Sequence, residues 1–371
     1  MVIILALDIY STVQSFYKFG AIKMSGVAIK DRDLNSLFNV LDERTLIISG
    51  FGYFIGKKSG RIVIKKKNEV IAQYSMNNLD EIIVMSRGVS ISTSLINEAC
   101  KHGIKICIWS NSYPNVMISS PQLAAFAEVK RAQFDALEKP IGLVLVKDIL
   151  ASKISNQAAL IKYYVKNKEK GDANHFAEKI SEIENMVFRI SKIEEENVNR
   201  ARTTLLNIEA NAAHIYWGAF ADLLNINYGF KGRDHDGADI INVALNYGYA
   251  ILYSLVWMGI LNAGLEPFAG FLHTDRPGKP SLALDLSEPF KPRLVDKIIL
   301  SIINRRKKIG LENAMLDDSS RELISSSIIG ELNKRESYAG KKLTMRSIIQ
   351  SNIYSVANFL KGHGKYIKIF I

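Results

Sequence analysis

The sequence predicts an α+β protein, with a small, mainly antiparallel N-terminal β-domain over residues 44–120 and a larger all-helical domain over residues 121–371. Two observations lead there. Between Arg44 and Ser120 the apolar residues come in short β-branched runs separated by Gly, Ser, Asn and charged residues, the pattern of strands and turns. After Pro121 the apolar period lengthens to that of a helix, and amphipathic segments follow one another with few strand formers between them. At 371 residues the chain is long enough to bury two cores.

The elements follow in order. Residues 1–43 fit neither pattern and read as an N-terminal extension without assigned structure, in which Met24 is an internal candidate start. TLIIS, GYFI, RIVIKKK, EVIAQYS and DEIIVMS then read as strands, with RIVIK alternating as a half-exposed strand does. STSLINEACKHG reads as a helix capped by Ser92 or Thr93 and stopped at Gly103. IKICIWS and VMISS add two strands, and Pro114 and Pro121 bracket a linker near residues 115–122. Helices are predicted over residues 122–138, 146–170, 175–191, 194–224, 240–265 and 292–308, interrupted by the hairpin-like HTDRPGKPS.

Composition narrows the partners. The 48% hydrophobic content excludes a disordered chain. Forty-eight Lys+Arg against 37 Asp+Glu give a net charge of +11 and a pI near 9.3, which points to a polyanion such as nucleic acid. Cys100 and Cys107 fit no zinc spacing and are too few for a disulfide framework, so both read as small core hydrophobes of a reducing compartment. MVIILALDIY lacks the basic region and cleavage site of a signal peptide. Residues 240–265 carry no charge and are long enough to span a bilayer. Their three asparagines, and the absence of a flanking Lys/Arg cluster on the C-terminal side, favour a buried core helix. The expected location is the cytoplasm, with no membrane partner.

Chemistry concentrates in AGFLHTDRPGKPSLALDLSEPFKP, residues 269–292, where His273, Asp285 and Glu288 surround a turn-rich fold-back. Carboxylate oxygens with one imidazole nitrogen suit Mg²⁺ or Mn²⁺. Asp285 and Glu288 also stand where caps and dipole partners of the next helix belong. Glu209 lies upstream on a helix whose neighbours at three and four residues are Leu205, Leu206, Ala212 and Ala213. A carboxylate there needs a cation, and two readings stand: a metal ligand, or half of a buried pair with Arg202 or Arg233. Candidate DNA-facing residues are Lys57, Lys58 and Arg61 in the β-domain, and Arg233, Arg276, Lys279 and Arg293 in the helical domain. The run Arg305–Lys308 reads as a solvated helix face.

With these residues in view the chain resembles a known family. E-x-x-A-A-x-x-Y-W from Glu209, LNYGYAILY, GLEPFAGFLH, SLALDLSEPFKP and the strand-rich N-terminal motifs are similar to the integrase/endonuclease subunit of CRISPR adaptation, Cas protein one. The similarity runs from about Arg44 to the C-terminus. It implies a homodimer formed through the β-domain, and two such dimers bridged by a dimer of the small Cas protein two. It also implies a metal held by Glu209, His273 and Glu288, with Asp285 as a further catalytic or supporting carboxylate. The implied reaction is attack of a prespacer 3′-hydroxyl on a phosphodiester at the edge of a CRISPR repeat. Two positions depart from the family pattern: Glu288 where Asp is frequent, and Ile240 where D-P-x-N has proline. Two rival readings use the same residues: a metal-dependent nuclease that cuts branched or single-stranded DNA, and a non-catalytic DNA-binding scaffold.

Overall fold

A computed structural model describes residues 45–48, 52–79, 81–84, 88–109, 114–118, 120, 126–166, 170–312 and 314–370. The expectations for residues 1–43 lie outside the described residues. The chain divides into two compact units, Met1–Ala124 and Ala125–Ile371.

In the first unit the β-branched runs become β1 (Thr45–Ile48), β2 (Tyr53–Lys58), β3 (Arg61–Lys66), β4 (Glu69–Ser75), β5 (Glu81–Val84) and β6 (Val89–Ile91). Helix α1 (Thr93–Lys101), β7 (Lys105–Trp109) and β8 (Pro114–Ile118) follow. Strands β4, β3 and β2 form the expected antiparallel ladder, and β6 joins β2 in parallel. Lys67 and Asn68, at φ of 49° and 67°, make the left-handed turn that a tight β3–β4 hairpin requires. A second sheet, ordered β1-β5-β7-β8, pairs its first three strands in parallel and its last antiparallel. The chain reaches β7 from β5 through β6 and α1, a connection long enough for parallel pairing.

Ile62, Val63 and Ile64 are all buried, so β3 is a covered central strand and not the half-exposed one its alternation suggested. These strands share a core of Leu46, Ile55, Ile62, Ile82 and Ile106 with Leu95 and Ala99 of α1. Ser92 caps α1 by accepting from the Leu95 N–H at 3.2 Å. Cys107 is buried and Cys100 half-buried, and the two form no disulfide.

The second unit opens with α2 (Phe126–Ala136), α3 (Pro140–Val165), α4 (Lys170–Ser191) and α5 (Val198–Asp222). Helix α3 starts at a proline, whose missing N–H has no partner in a first turn anyway, and packs against α4 and α5. Helix α6 (Ile240–Asn262) is capped by Asp239, which accepts from the N–H groups of Ile241 and Asn242 at 3.1 and 3.0 Å. Ile240 begins the helix directly after this cap, at the position where D-P-x-N has proline. Helix α6 is long and apolar enough to cross a membrane, yet it is mostly buried within the unit.

The predicted single helix over 292–308 is corrected by the structure. Helix α7 (Ser281–Ser287) tightens into a 3₁₀ turn at Glu288–Phe290, and the chain widens into a π turn at Pro292–Asp296 before α8 (Lys297–Asn304). Pro289 and Pro292 lack the N–H groups a continuous helix would use. Beyond lie the short hairpin β9 (Leu311–Glu312) and β10 (Met315–Leu316), α9 (Asp318–Leu332), the hairpin β11 (Arg335–Tyr338) and β12 (Lys341–Thr344), and α10 (Met345–Leu360). Helices α7, α9 and α10 all pack on α6.

Candidate active site

The loop between α6 and α7 is set from beneath. Gln133 of α2 donates to the carbonyls of Glu266 and Ala269 at 3.0 and 2.7 Å. At Gly270 a Cβ would lie 2.5 Å from Ser281 Cβ and 2.8 Å from the His273 carbonyl, so only glycine lets the two ends of the loop meet. Gly278, at φ 76°, turns the chain where Arg276 and Lys279 bridge.

This closure brings His273 onto Asp285. One Asp285 oxygen accepts from the N–H groups of Phe271 and Leu272 at 2.7 and 3.0 Å. The other accepts from the His273 N–H at 3.1 Å and meets His273 Nδ1 at 2.6 Å. Asp285 is buried while His273 is half-buried. An acceptor on Nδ1 fixes the tautomer with the proton there and leaves the Nε2 lone pair for a ligand. Asp285 therefore orients His273, and both its oxygens are engaged by the loop that carries that histidine.

Glu288, one turn further, is 3% exposed. Its Oε1 accepts from Lys291 Nζ at 2.7 Å, and its Oε2 lies 2.8 Å from Lys153 Nζ on α3. Oε2 has no donor in hydrogen-bond alignment, so that contact is ionic. Lys153 Nζ also donates to Glu209 Oε1, drawing the carboxylates of α5 and the 3₁₀ turn to one cation. Burial alone would push the Glu288 carboxyl up; Lys153, Lys291 and the nearby His273 outweigh it and hold the group well below the usual carboxylate range. Burial likewise works against the charge of Lys291, and Glu288 overcomes it, keeping the ammonium well above its ordinary value. Asn156, one turn along α3 from Lys153, donates to the carbonyls of Pro289 and Ile369 at 2.8 and 3.1 Å, fixing the 3₁₀ turn from behind.

Lys291 rests over the rings of Tyr249 and Tyr253, at 5.1 and 5.3 Å. Tyr249 and Tyr216 donate in turn to the buried Asp296 at 2.6 and 2.7 Å. Burial pushes Asp296 up to about 6, against the pull of the two tyrosine hydroxyls. The tyrosines of LNYGYAILY and E-x-x-A-A-x-x-Y-W thus support the floor of the site.

The sequence-predicted residues separate accordingly. Glu209, His273, Asp285 and Glu288 converge on one region, but the partner of Glu209 is Lys153 and neither predicted arginine. Arg202 bonds Asn199 and the Phe271 carbonyl, and Arg233 bonds Asn242 and Asn246 and covers Tyr249. Arg293 is held between Glu331 and Glu336 at 2.8 and 2.6 Å. Arg233 and Arg293 are half-buried and held by these neighbouring side chains. Lys57 pairs with Glu98, while Lys58 and Arg61 face solvent at the β2–β3 turn. Arg276 is exposed and Lys279 half-buried, and burial followed by the neighbouring Arg276 lowers the Lys279 ammonium, with Asp285 acting the other way. Lys153, Lys291 and Asn156 escaped the sequence reading. The signal for Lys153 was there, in a charged side chain inside the apolar segment around LASKISNQAAL.

Among the described residues no three His, Cys, Asp or Glu side chains close into an ion cage. The donor set nevertheless suits a hard divalent cation: two carboxylates already gathered on a positive charge, one buried oxygen without an aligned donor, and an imidazole oriented through its far nitrogen.

A β-rich unit followed by a helical unit with such a site defines the class, and comparison gives the family. The family described as CRISPR associated protein Cas1 matches residues 46–327, and the chain belongs to it. It is 29% identical over 338 residues to the CRISPR-associated endonuclease Cas1 1 of Archaeoglobus fulgidus, covering 86% of this chain and 97% of the relative. It is also 29% identical over 323 residues to the CRISPR-associated endonuclease Cas1 1 of Francisella tularensis subsp. novicida, covering 86% and 97%. Among solved structures, a casposase bound to integration product superposes with a TM-score of 0.63 at 23% identity, covering 88% of this chain and 92% of that one. A Cas1 protein from Thermotoga maritima gives 0.61 at 18%, covering 87% and 99%. These structures share the fold: a strand-rich N-terminal part and a mainly helical remainder.

Proposed function

We propose that the protein is a metal-dependent DNA endonuclease and integrase of CRISPR adaptation, with Glu209, His273 and Glu288 holding Mg²⁺ or Mn²⁺. The observation that carries this reading is the gathering of Glu209 and Glu288 on one cation beside an imidazole whose orientation Asp285 fixes. A scaffold has no use for two carboxylates gathered in this way. The names of the curated relatives, which are endonucleases, and the integration product bound by the casposase support the same reaction class.

When bound, the ion would lower the pKa of an attacking hydroxyl and neutralise charge growing on the phosphoryl oxygens. The protein's own groups do the rest. Asp285 keeps the His273 proton on Nδ1, so that Nε2 stays an acceptor. Lys291 balances Glu288 at its outer oxygen. Arg276 and Lys279, on the loop that carries His273, are placed to receive the scissile phosphate. A DNA 3′-hydroxyl oxygen gives up its proton and forms one P–O bond to the repeat phosphate as the bond to the leaving 3′-oxygen breaks, and that oxygen takes up a proton from solvent. One phosphodiester replaces another, and no high-energy cofactor is consumed.

The partners proposed are prespacer and repeat DNA, a second copy of the chain, and a dimer of the small Cas protein two joining two such dimers. Two structural neighbours are Cas6-RT-Cas1–Cas2 complexes, which supports that assembly. A cytoplasmic location is proposed with it.

The test is strand transfer of a 3′-hydroxyl oligonucleotide into a repeat-bearing plasmid with Mn²⁺ or Mg²⁺. Chelator, Glu209→Ala and His273→Ala should each reduce joined product to background while thermal unfolding stays cooperative. Glu288→Gln serves better than Glu288→Ala, which would take from Lys291 the carboxylate it pairs with and from the buried Lys153 one of two. Wild-type joining by Glu209→Ala would remove that residue from the site. Cleavage without joining would favour the nuclease reading.

A further inference from the structure

We propose that Lys153 is a built-in counterion of this site: its ammonium takes the cation position between Glu209 and Glu288 in the ion-free protein and leaves when a divalent ion binds. The proposal rests on Glu209 and Glu288 being ligands.

Three observations carry it. Glu209 Oε1 and Glu288 Oε2, from segments 79 residues apart in sequence, both face Lys153 Nζ. Lys153 is only 8% exposed on a helix that is otherwise largely apolar, a place where a charge needs full compensation. Glu288 already has Lys291 on its other oxygen, so what Lys153 adds is the link to Glu209. With Lys153 and Lys291 positive and the two glutamates negative, the ion-free group is balanced.

Space and charge then oppose sharing. An ion held by both Glu209 Oε1 and Glu288 Oε2 would compete for the region between them, where the Lys153 ammonium sits, and two positive charges that close repel strongly inside the protein. Keeping both would also bury an excess of two positive charges. The flexible four-carbon stem of lysine lets the ammonium swing aside, which a rigid guanidinium would do less readily. Lys153 thus holds the two carboxylates in place before the ion arrives, and sets how tightly the ion is held.

The test compares Mn²⁺ affinity by calorimetry, and thermal unfolding with and without Mn²⁺, in the wild-type protein, Lys153→Met, Lys153→Gln and Glu209→Gln. Both Lys153 variants should bind Mn²⁺ at least tenfold more tightly than wild type. Their ion-free Tm should fall, and Mn²⁺ should raise it by more than it raises the wild-type value. Unchanged or weaker Mn²⁺ binding in the folded Lys153 variants, with Glu209→Gln impaired, overturns the counterion role alone. Full Mn²⁺ binding by Glu209→Gln, or none by wild type, overturns the ligand reading and the counterion with it. Should neither Lys153 variant fold, the wild-type chain still decides. Mn²⁺ should speed acetylation of Lys153 by acetic anhydride, read by peptide mass spectrometry, and protection or no change would contradict displacement.

Discussion

Asp285 shows how much of the site one buried side chain builds. Its two oxygens accept three successive backbone N–H groups and the His273 ring, so one side chain sets both the path of the loop and the face of the imidazole. Asp285→Asn offers one acceptor oxygen instead of two. It should lower Mn²⁺ affinity by about 10–100-fold, as loss of a partner behind a ligating histidine does. It should also lower stability by about 1–3 kcal/mol for the donors left unpaired. Calorimetry and urea unfolding check the two effects, and an affinity equal to wild type would return Asp285 to a purely structural role. His273, Asp285 and Glu288 were legible in sequence because they crowd into one short segment. Their division of labour was not, since it depends on which oxygen meets which N–H. Lys153 was missed for a related reason. The argument that singled out Glu209, a charge on an apolar face, applies equally to Lys153, but the pairing joins residues 56 apart.

Between α7 and α8 the chain passes through 3₁₀, π and α geometry within 17 residues, and the break is what turns Glu288 and Asp296 inward. Pro289 and Pro292 announced an interruption, though not its width, because a π turn depends on what packs beneath it. Here that is the Tyr216–Asp296–Tyr249 group. Asp296 retains its proton up to about pH 6 when folded. In the unfolded chain an Asp releases it near pH 3.9. Between those values the folded state binds more protons, so this group's contribution to stability falls as pH rises, by about 3 kcal/mol across the window. Asp296→Asn should remove that fall. Urea unfolding from pH 4 to 7 measures it, and identical slopes for both proteins would contradict the assignment. In the β-unit the antiparallel ladder was legible from alternation and turns. The parallel β1-β5-β7 pairing was not, since it joins strands distant in sequence.

At the scale of the whole molecule, the net charge of +11 was the first pointer to DNA, and the structure shows which part of it is free to act. Arg233 and Arg293 are half-buried and bonded to neighbouring side chains, whereas Arg276, Lys58 and Arg61 face solvent. DNA binding should weaken steeply with salt, by about 0.9 in log–log slope for each phosphate neutralised. Replacing Arg276 and Lys279 together should flatten that slope by about one or two and reduce joining far more than binding. Replacing Arg305, Arg306, Lys307 and Lys308, which are exposed beyond α8, should cost affinity modestly and leave joining at saturating DNA nearly intact. The reverse order would mean that DNA does not cross the His273 loop. Among the described residues both sheets of the β-unit end in edge strands, which a partner copy would guard. Light scattering should accordingly report a dimer at micromolar concentration.

The most direct test of the central claim is anomalous diffraction from crystals grown with Mn²⁺. One strong peak per chain is expected, within about 2.0–2.3 Å of a Glu209 oxygen, a Glu288 oxygen and His273 Nε2, with the Lys153 ammonium moved away. A peak bound by other residues, or none in a protein that still joins DNA, would contradict it.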